Sequence, residues 1–273
     1  MVRQLRRNPS ALTGLAIVVL MVVIALFAPW IAPASPTQIS LEDKLSPPSL
    51  DHWFGTDDLG RDIFSRVVYG SRISLSSGVL VVAIAMILGV SVGLVAGYWG
   101  GALDTGLMWV SDVFLSFPRL VLAMAIATTL GPGLVNGMVA VALSWWPWYA
   151  RLVRSQVLSL RRQEFVIAAN AVGAGPWRII RRHLVPNITG TVAVQVSLDL
   201  GYAILITASL SFIGLGAQPP SPEWGSMIAQ GRTYILEEWW YPTFPGLAIF
   251  LAVLGANLFG DALRDLLDPR MRQ

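Results

Sequence analysis

Four residues that could share one reaction or one metal crowd a short stretch of this chain: His52, Asp57, Asp58 and Asp62. Imidazole and carboxylate oxygens together suit a divalent cation. The same neighbourhood also suits the free N–H groups at a helix start. Thr56, Asp57 or Asp58 can cap an amphipathic helix running to about Arg72. Capping and packing is the reading adopted, and no metal site is assigned. A second set lies among apolar residues: Asp112, Arg119 and Asp199. Charge in such surroundings is costly and marks a pathway or a buried partner. Asp112 and Arg119 stand seven residues apart, nearly two helical turns, on similar faces. They can pair with each other, or Arg119 can reach to the membrane interface. Asp199 has no obvious partner within its own helix. It lines a pathway, where an acid suits a peptide amine or a metal complex, or it bonds to a neighbouring helix. No Ser-His-Asp set, carboxylate pair or metal-ligand spacing points to covalent chemistry.

The elements that must hold these groups are membrane helices. Of 273 residues, 55% are hydrophobic and only 13% charged, with mean hydropathy +0.63. A soluble domain would need more charge to cover its surface. The absence of cysteine excludes disulfides, thiolate metal sites and cysteine nucleophiles. Lys44 is the only lysine, so the Gly-Lys-Ser/Thr end of a phosphate-binding loop does not exist here. Any energy from ATP must come through another chain. The arginine excess beside apolar runs is read as membrane topology, not nucleic-acid binding.

Six runs approach the roughly 20 apolar residues that a span requires. They fall at about 11–31, 75–98, 107–130, 135–152, 188–215 and 244–263. The first follows Arg3, Arg6 and Arg7, but it is too long for a signal peptide and lacks a small-residue cleavage site. Trp145, Trp146, Trp148 and Tyr149 end the fourth as an interfacial aromatic belt. Lys and Arg number thirteen on the side of both termini, counting Arg151 at the edge of the fourth span, and five on the other. That bias places the termini and the loop at 161–187 in the cytoplasm. The proline-rich segment 33–48 and the Gln218-Pro-Pro-Ser-Pro run read as external linkers.

The loop at 161–187 is more structured than a turn between spans requires. Glu164 to Val172 favours helix, with Ala168, Ala169 and Ala171 on it. Gly173 and Gly175 end that helix, and Pro176 suits the first turn of the next. Arg178, Arg181 and Arg182 follow at helical spacing, and Pro186 closes the unit. Physical chemistry leaves two uses open. The alanine-glycine face allows close approach of a partner's groove, and the arginines allow contact with anionic lipid.

The same residues carry a resemblance. Glu164, Ala168, Ala169 and Gly173, with Pro186 further on, resemble the Glu-x-x-x-Ala-Ala-x-x-x-Gly signature of inner-membrane subunits of ATP-binding-cassette importers. In that family the segment is the helix that fits a cleft in the cytoplasmic ATPase. The resemblance implies an ATPase-coupling role here for Glu164, Ala168, Ala169, Gly173, Arg178 and Pro186. Most of the chain resembles one branch, the C-type permease of peptide and nickel importers. His52-Trp-Phe-Gly-Thr-Asp-Asp-Leu-Gly-Arg-Asp62, Leu210-Ser-Phe-Ile-Gly-Leu-Gly216, Pro222-Glu-Trp-Gly225 and the tail from Asn257 to Arg270 follow that branch in order. One departure stands out. Many peptide-type members have a glutamate where Thr207 stands here, with Asp199 two turns earlier.

The expectations are therefore concrete. The fold is all-α and integral to the membrane, with six transmembrane helices and a cytoplasmic coupling-helix loop. Residues 1–74 form a first span plus an external segment, and 75–273 form the permease domain. Asp57, Gly60, Arg61 and Asp62 shape the external mouth or meet a substrate-binding protein. Asp112, Arg119 and Asp199 are the pathway candidates. The resemblance implies a second homologous permease, two cytoplasmic ATPases that carry ATP and Mg, and an external binding protein. No cofactor is expected on this chain, whose other contact is membrane lipid. Location is the cytoplasmic membrane of a prokaryote, and the cargo is peptides. Nickel, a metal chelate or an oligosaccharide are alternatives. A self-contained secondary transporter or channel is the rival of another class; it would show inverted internal repeats, and none is visible.

Overall fold

The computed structural model describes residues 9–267. Arg3, Arg6 and Arg7, and the tail residues Asp268, Pro269 and Arg270, lie outside the described residues. The described chain is helical, and its one β feature is an isolated bridge between Thr56 and Asp62. In chain order the helices are α1 (Pro9–Leu26), α2 (Ala28–Ile31), α3 (Ile63–Trp99), α4 (Gly101–Leu115), α5 (Arg119–Leu130) and α6 (Leu134–Leu160). They continue with α7 (Glu164–Ala171), α8 (Pro176–Ile179), α9 (Val185–Ile213), α10 (Trp224–Gly231) and α11 (Trp240–Leu267).

Four stretches are each long and apolar enough to cross a bilayer: Pro9–Leu26, Ile63–Trp99, Pro176–Ile213 and Trp240–Asp265. The pair α4 and α5 can supply a fifth, but it is bent by 94°. That bend corrects the expectation of one straight helix over 107–130. Pro118 has no N–H to offer, and it disfavours helical backbone at Phe117 before it. Helix α6 is long enough to span, yet Trp145, Trp146, Pro147, Trp148 and two arginines dilute its apolar character.

A second difference concerns the external helix and the second span. They are one element, α3, running 37 residues without a break, roughly 55 Å at 1.5 Å per residue. It passes through residues 74 and 75 as continuous helix. It packs on α6 through Gly89, Gly93 and Gly97, spaced four residues apart on one face. A Cβ at these positions would lie 2.4 Å from Trp146 O, 2.5 Å from Ala150 O and 2.8 Å from Val157 Cβ, respectively. Small residues at this spacing let two backbones touch, which is how helices associate where lipid removes the hydrophobic drive.

Three apolar clusters hold the bundle. The central one joins α3, α5, α6 and α9 through Val81, Ala85, Val141, Trp145, Tyr149 and Leu210. A second joins α1, α3, α10 and α11 through Met21, Ile63, Trp224, Met227 and Tyr241. The third ties α7 and α8 to the ends of α6 and α9 through Val153, Val157, Val166, Ile179 and Leu184.

Candidate functional site

The segment after α6 is a firm two-helix unit. Helix α7 ends where Gly173 takes the left-handed conformation, at φ +77°. The Ala174 N–H then bonds to Ala169 O and the Gly173 N–H to Asn170 O, both at 3.0 Å. That double bond is the Schellman cap, and it needs a residue without Cβ strain. Pro176 opens α8 as expected. Gly175 is extended (φ −66°, ψ 155°) and does not need glycine's freedom.

Pro186 departs from expectation. It does not close the unit, because the helix continues through it as Pro176–Ile213. A wide π turn at Ile180–Leu184 precedes it, with the Val185 N–H reaching Ile180 O. A proline ring clashes with the carbonyl four residues back in an α-helix, and the wider turn moves that carbonyl away.

The inner face of this unit is locked and the outer face is bare. Val166, Ile179 and Leu184 are fully buried. Trp177 meets Trp99 at the end of α3 with ring centroids 6.2 Å apart. Arg161 donates from Nη1 to Gly97 O at 3.0 Å and lies over the Tyr98 ring. Outward stand Glu164, Ala168, Gly173, Pro186 and Arg178, all exposed, with Ala169 half-buried. Beside them Val172 is 84% exposed, Trp177 72% and Ile167 55%. Apolar side chains left bare on a capped, anchored unit mark a contact surface.

The segment before α3 folds back over the start of that helix. Asp62, not Thr56, Asp57 or Asp58, is the helix cap: its Oδ2 accepts from the Ser65 N–H at 2.7 Å. The earlier residues cannot serve, because α3 begins at Ile63. Asp57 is instead buried beneath two arginines. It accepts from Arg61 Nε at 2.6 Å, and Arg66 Nε lies 3.4 Å away. Asp58 accepts from the Tyr241 hydroxyl at 2.9 Å, which ties the segment to α11. Gly60, at φ +71°, makes the turn between them. His52 places Nδ1 3.1 Å from Asp62 Oδ1 and Nε2 4.0 Å from Asp43 Oδ2. Glu223 caps α10, accepting from the Ser226 N–H at 2.9 Å. Burial pushes its carboxyl above the usual range, and the N–H groups of Gly225 and Ser226 pull the other way.

The three pathway candidates are arranged differently from a pair of Asp112 with Arg119, one of the two readings their spacing offered. Asp112 and Arg119 do not share a face, because the bend at Pro118 puts them on different helices. Asp112 bonds to Arg151 of α6. One turn on, Arg154 grips Asp104 of α4 with two hydrogen bonds, Nη2 to Oδ2 being 2.6 Å. Arg119 lies against Trp145 and Trp148, its Cζ 5.3 and 5.1 Å from the ring centroids. Asp199 was expected to lack a partner in its own helix, yet Gln195, four residues back on α9, donates from Nε2 to its Oδ1 at 3.1 Å, and Asp199 is only 7% exposed.

Known proteins share this architecture and its sequence. Residues 89–273 match the family model described as the inner membrane component of binding-protein-dependent transport systems. Residues 1–48 match the N-terminal transmembrane domain of oligopeptide transport permease C. The chain belongs to this permease family. Among curated relatives, the probable D,D-dipeptide transport system permease DdpC of Escherichia coli K12 is 49% identical over 270 residues, covering 99% of this chain and 91% of the relative. The dipeptide transport system permease DppC of Alkalihalophilus pseudofirmus is 47% identical, covering 99% and 89%. The glutathione transport system permease GsiD of Escherichia coli O6:K15:H31 is 45% identical over 271 residues, again covering 99% and 89%. A chain of the inward-facing MetNI methionine ABC transporter has the same fold, with TM-score 0.61 and 18% identity, over 76% of this chain and 98% of that one.

Within this permease, two features escaped the sequence reading. Trp145 and Tyr149 are not an interfacial belt; they are 2% and 0% exposed. The signal for them was the four-residue stripe Val141, Trp145, Tyr149, Val153 and Val157, which a helix puts on one face. The double ionic clasp of α4 onto α6 was also missed, because pairs so far apart in the chain leave no local pattern. Breaking it has a local consequence. The pair is part-exposed, so Arg154→Gln is expected to cost about 1 kcal/mol or less of global stability. Hydrogen exchange of α4 amides should nevertheless accelerate by up to about fivefold in detergent. Unchanged exchange across Gly101–Leu115 would mean that the clasp does not hold α4.

Proposed function

We propose that this permease imports short peptides as one of two homologous subunits, driven by two separate ATPases that hold ATP and Mg. An external binding protein delivers the cargo. One observation carries the reading: the bare surface of Ile167, Val172, Gly173 and Trp177 sits on a unit whose inner face is locked to α3, α6 and α9. A surface meant only to float at lipid headgroups has no need of that anchoring. The printed names of the relatives, dipeptide and glutathione permeases, favour peptides over nickel, metal chelates or oligosaccharides. The lone Lys44 fits a motor on another chain.

Work would pass from ATPase to pathway through rigid elements. Closure of the ATPases around ATP shifts the unit spanning 164–186. Arg161 and Trp177 carry that shift to the end of α3, and Val166, Ile179 and Leu184 carry it to α6 and α9. The helices then favour the outward-open state, a population shift by a remote ligand. In this scheme six spans place both termini in the cytoplasm, with α6 as the fourth. The segment before α3 meets the binding protein, and α3, which runs unbroken through residues 74 and 75, moves with the core. Affinity capture of the chain from native membranes, followed by mass spectrometry, is expected to recover a second permease and ATPases. The captured assembly in proteoliposomes should take up labelled dipeptide only with ATP and the binding protein. Uptake by this chain alone, without ATP, would replace the importer with a secondary transporter.

A further inference from the structure

Five buried side-chain polar atoms lack a hydrogen-bond partner among the described residues, and three of them gather on facing sides of α6 and α9: Trp145 Nε1, Tyr149 Oη and Asp199 Oδ2. Trp145 and Tyr149 are one turn apart on α6. The Tyr149 hydroxyl adjoins the Asp199 carboxyl without completing a hydrogen bond to it. Trp145 packs edge-on against Tyr202, one turn along α9 from Asp199, with centroids 5.0 Å apart. A fourth group completes the set. Arg119 lies within electrostatic reach of Tyr149 and Asp199, yet makes no ion pair or hydrogen bond among the described residues. Its cation rests on the faces of Trp145 and Trp148.

These groups are costly as a structural device. An acid inside a membrane bundle is expected to find a cation or a full set of donors, and Asp199 has one completed hydrogen bond, from Gln195, with Tyr149 and Arg119 near but not bonded to it. Stacking on indole faces stabilises a guanidinium charge while leaving its N–H donors free. So one carboxylate and one guanidinium are held near each other, unpaired, each able to take one more charged partner. A ligand that satisfies both carries an ammonium and a carboxylate on one small body. The exposed edges of Trp148 (42%) and Tyr202 (40%) mark the side from which such a body reaches the cluster.

We propose that this cluster is a substrate subsite for a zwitterion. Asp199, assisted by Tyr149, receives the terminal ammonium of a short peptide, and Arg119 on its tryptophan seat receives the carboxylate. Tyr149 and Gln195 close over the acid in the conformation described and release it when the helices part. The subsite rests on the peptide-importer reading and gives it a chemical basis: free ends at both termini are what the pathway recognises. Thr207, where many peptide-type relatives have glutamate, then needs no acid, because Asp199 supplies it from two turns earlier.

The test uses the complete assembly without its binding protein, so that the external selector cannot mask the result. Direct binding is measured for labelled alanylalanine, for its N-acetyl form and for its C-terminal amide. In the wild type either blocked end is expected to weaken binding about 10- to 100-fold, the value of one hydrogen-bonded charge. Asp199→Asn should abolish the penalty for N-acetylation and keep that for amidation. Arg119→Gln should do the reverse. Tyr149→Phe, which removes one hydroxyl, should assemble normally and weaken binding of the free amine. Should Asp199→Asn fail to assemble, the wild-type comparison and the other two variants still decide. A wild type that binds none of the three, or treats them alike, overturns the subsite, as do variants that keep both penalties. ATP-driven uptake of alanylalanine by the same wild type with binding protein separates the two failures. Its absence defeats the peptide reading; its presence with no discrimination of ends defeats the subsite alone.

Discussion

Gly173→Trp is expected to abolish uptake while the chain still folds and inserts. The left-handed backbone at Gly173 makes any side chain there cost roughly 1–2 kcal/mol, and the Schellman cap is weakened. That loss is confined to the end of α7, since a Cβ at Gly173 meets nothing within 4 Å. For a chain of this size a loss of that order lowers the melting temperature by only about 2–8 °C. The large effect arises outside the chain. An indole would project from the bare surface beside Val172, and a partner seated there would be pushed off. Uptake by the reconstituted assembly should fall at least about 100-fold, as misplacement of about 1 Å can cost. Gly173→Ala, with the same backbone strain and a small side chain, should retain most of it. Full uptake by the tryptophan variant would show that nothing docks on this surface.

Gly93→Leu is expected to do the opposite and remove the fold itself. A Cβ at Gly93 would stand 2.5 Å from Ala150 O and 2.8 Å from Val153 Cβ. Neither neighbour is a free side-chain end, so α3 and α6 must separate. Separation strips the packing around Gly89 and Gly97 as well, and loosens the Val153–Val157 floor on which the unit of α7 and α8 rests. Overpacking of a tight core commonly costs 1–3 kcal/mol, and a helix-wide separation costs more, about 4 kcal/mol here. Yield of monodisperse protein and thermal unfolding in detergent report it. Gly190→Leu on α9, where an added Cβ finds open space, should behave as wild type. Equal stability of the two variants would mean that the α3–α6 contact is not what holds the bundle.

Much of the two-helix unit was legible in the sequence because its signals are local. A helix stop at Gly173 and a helix start at Pro176 follow from backbone freedom and a missing N–H, and both are where those residues put them. Pro186 misled because a π turn, which has no sequence signature, lets the helix absorb it. A pairing of Asp112 with Arg119, one of the two readings offered, assumed an unbroken helix, although Pro118 between them was the visible warning. The capping acid was misplaced for a similar reason. Asp57 and Asp62 are equally good caps, and only the start of α3 decides between them. Trp145 and Tyr149 read as a belt by composition; their burial depends on which side of α6 meets α9, a tertiary fact. The long-range clasps, Arg154 to Asp104 and Tyr241 to Asp58, leave no trace in any window of sequence.

The central claim is that a separate ATPase grips the surface around Val172 and Gly173. Because the chain has no cysteine, Val172→Cys introduces a single thiol at a position 84% exposed. Treated with a short thiol-directed photo-crosslinker in native membranes, this variant should form an adduct with the ATPase, and its yield should change when ATP is added. A matching cysteine at Leu50, 95% exposed in the external segment, should give no such adduct. Labelling of Val172→Cys only by lipid, or by no protein at all, would contradict the claim.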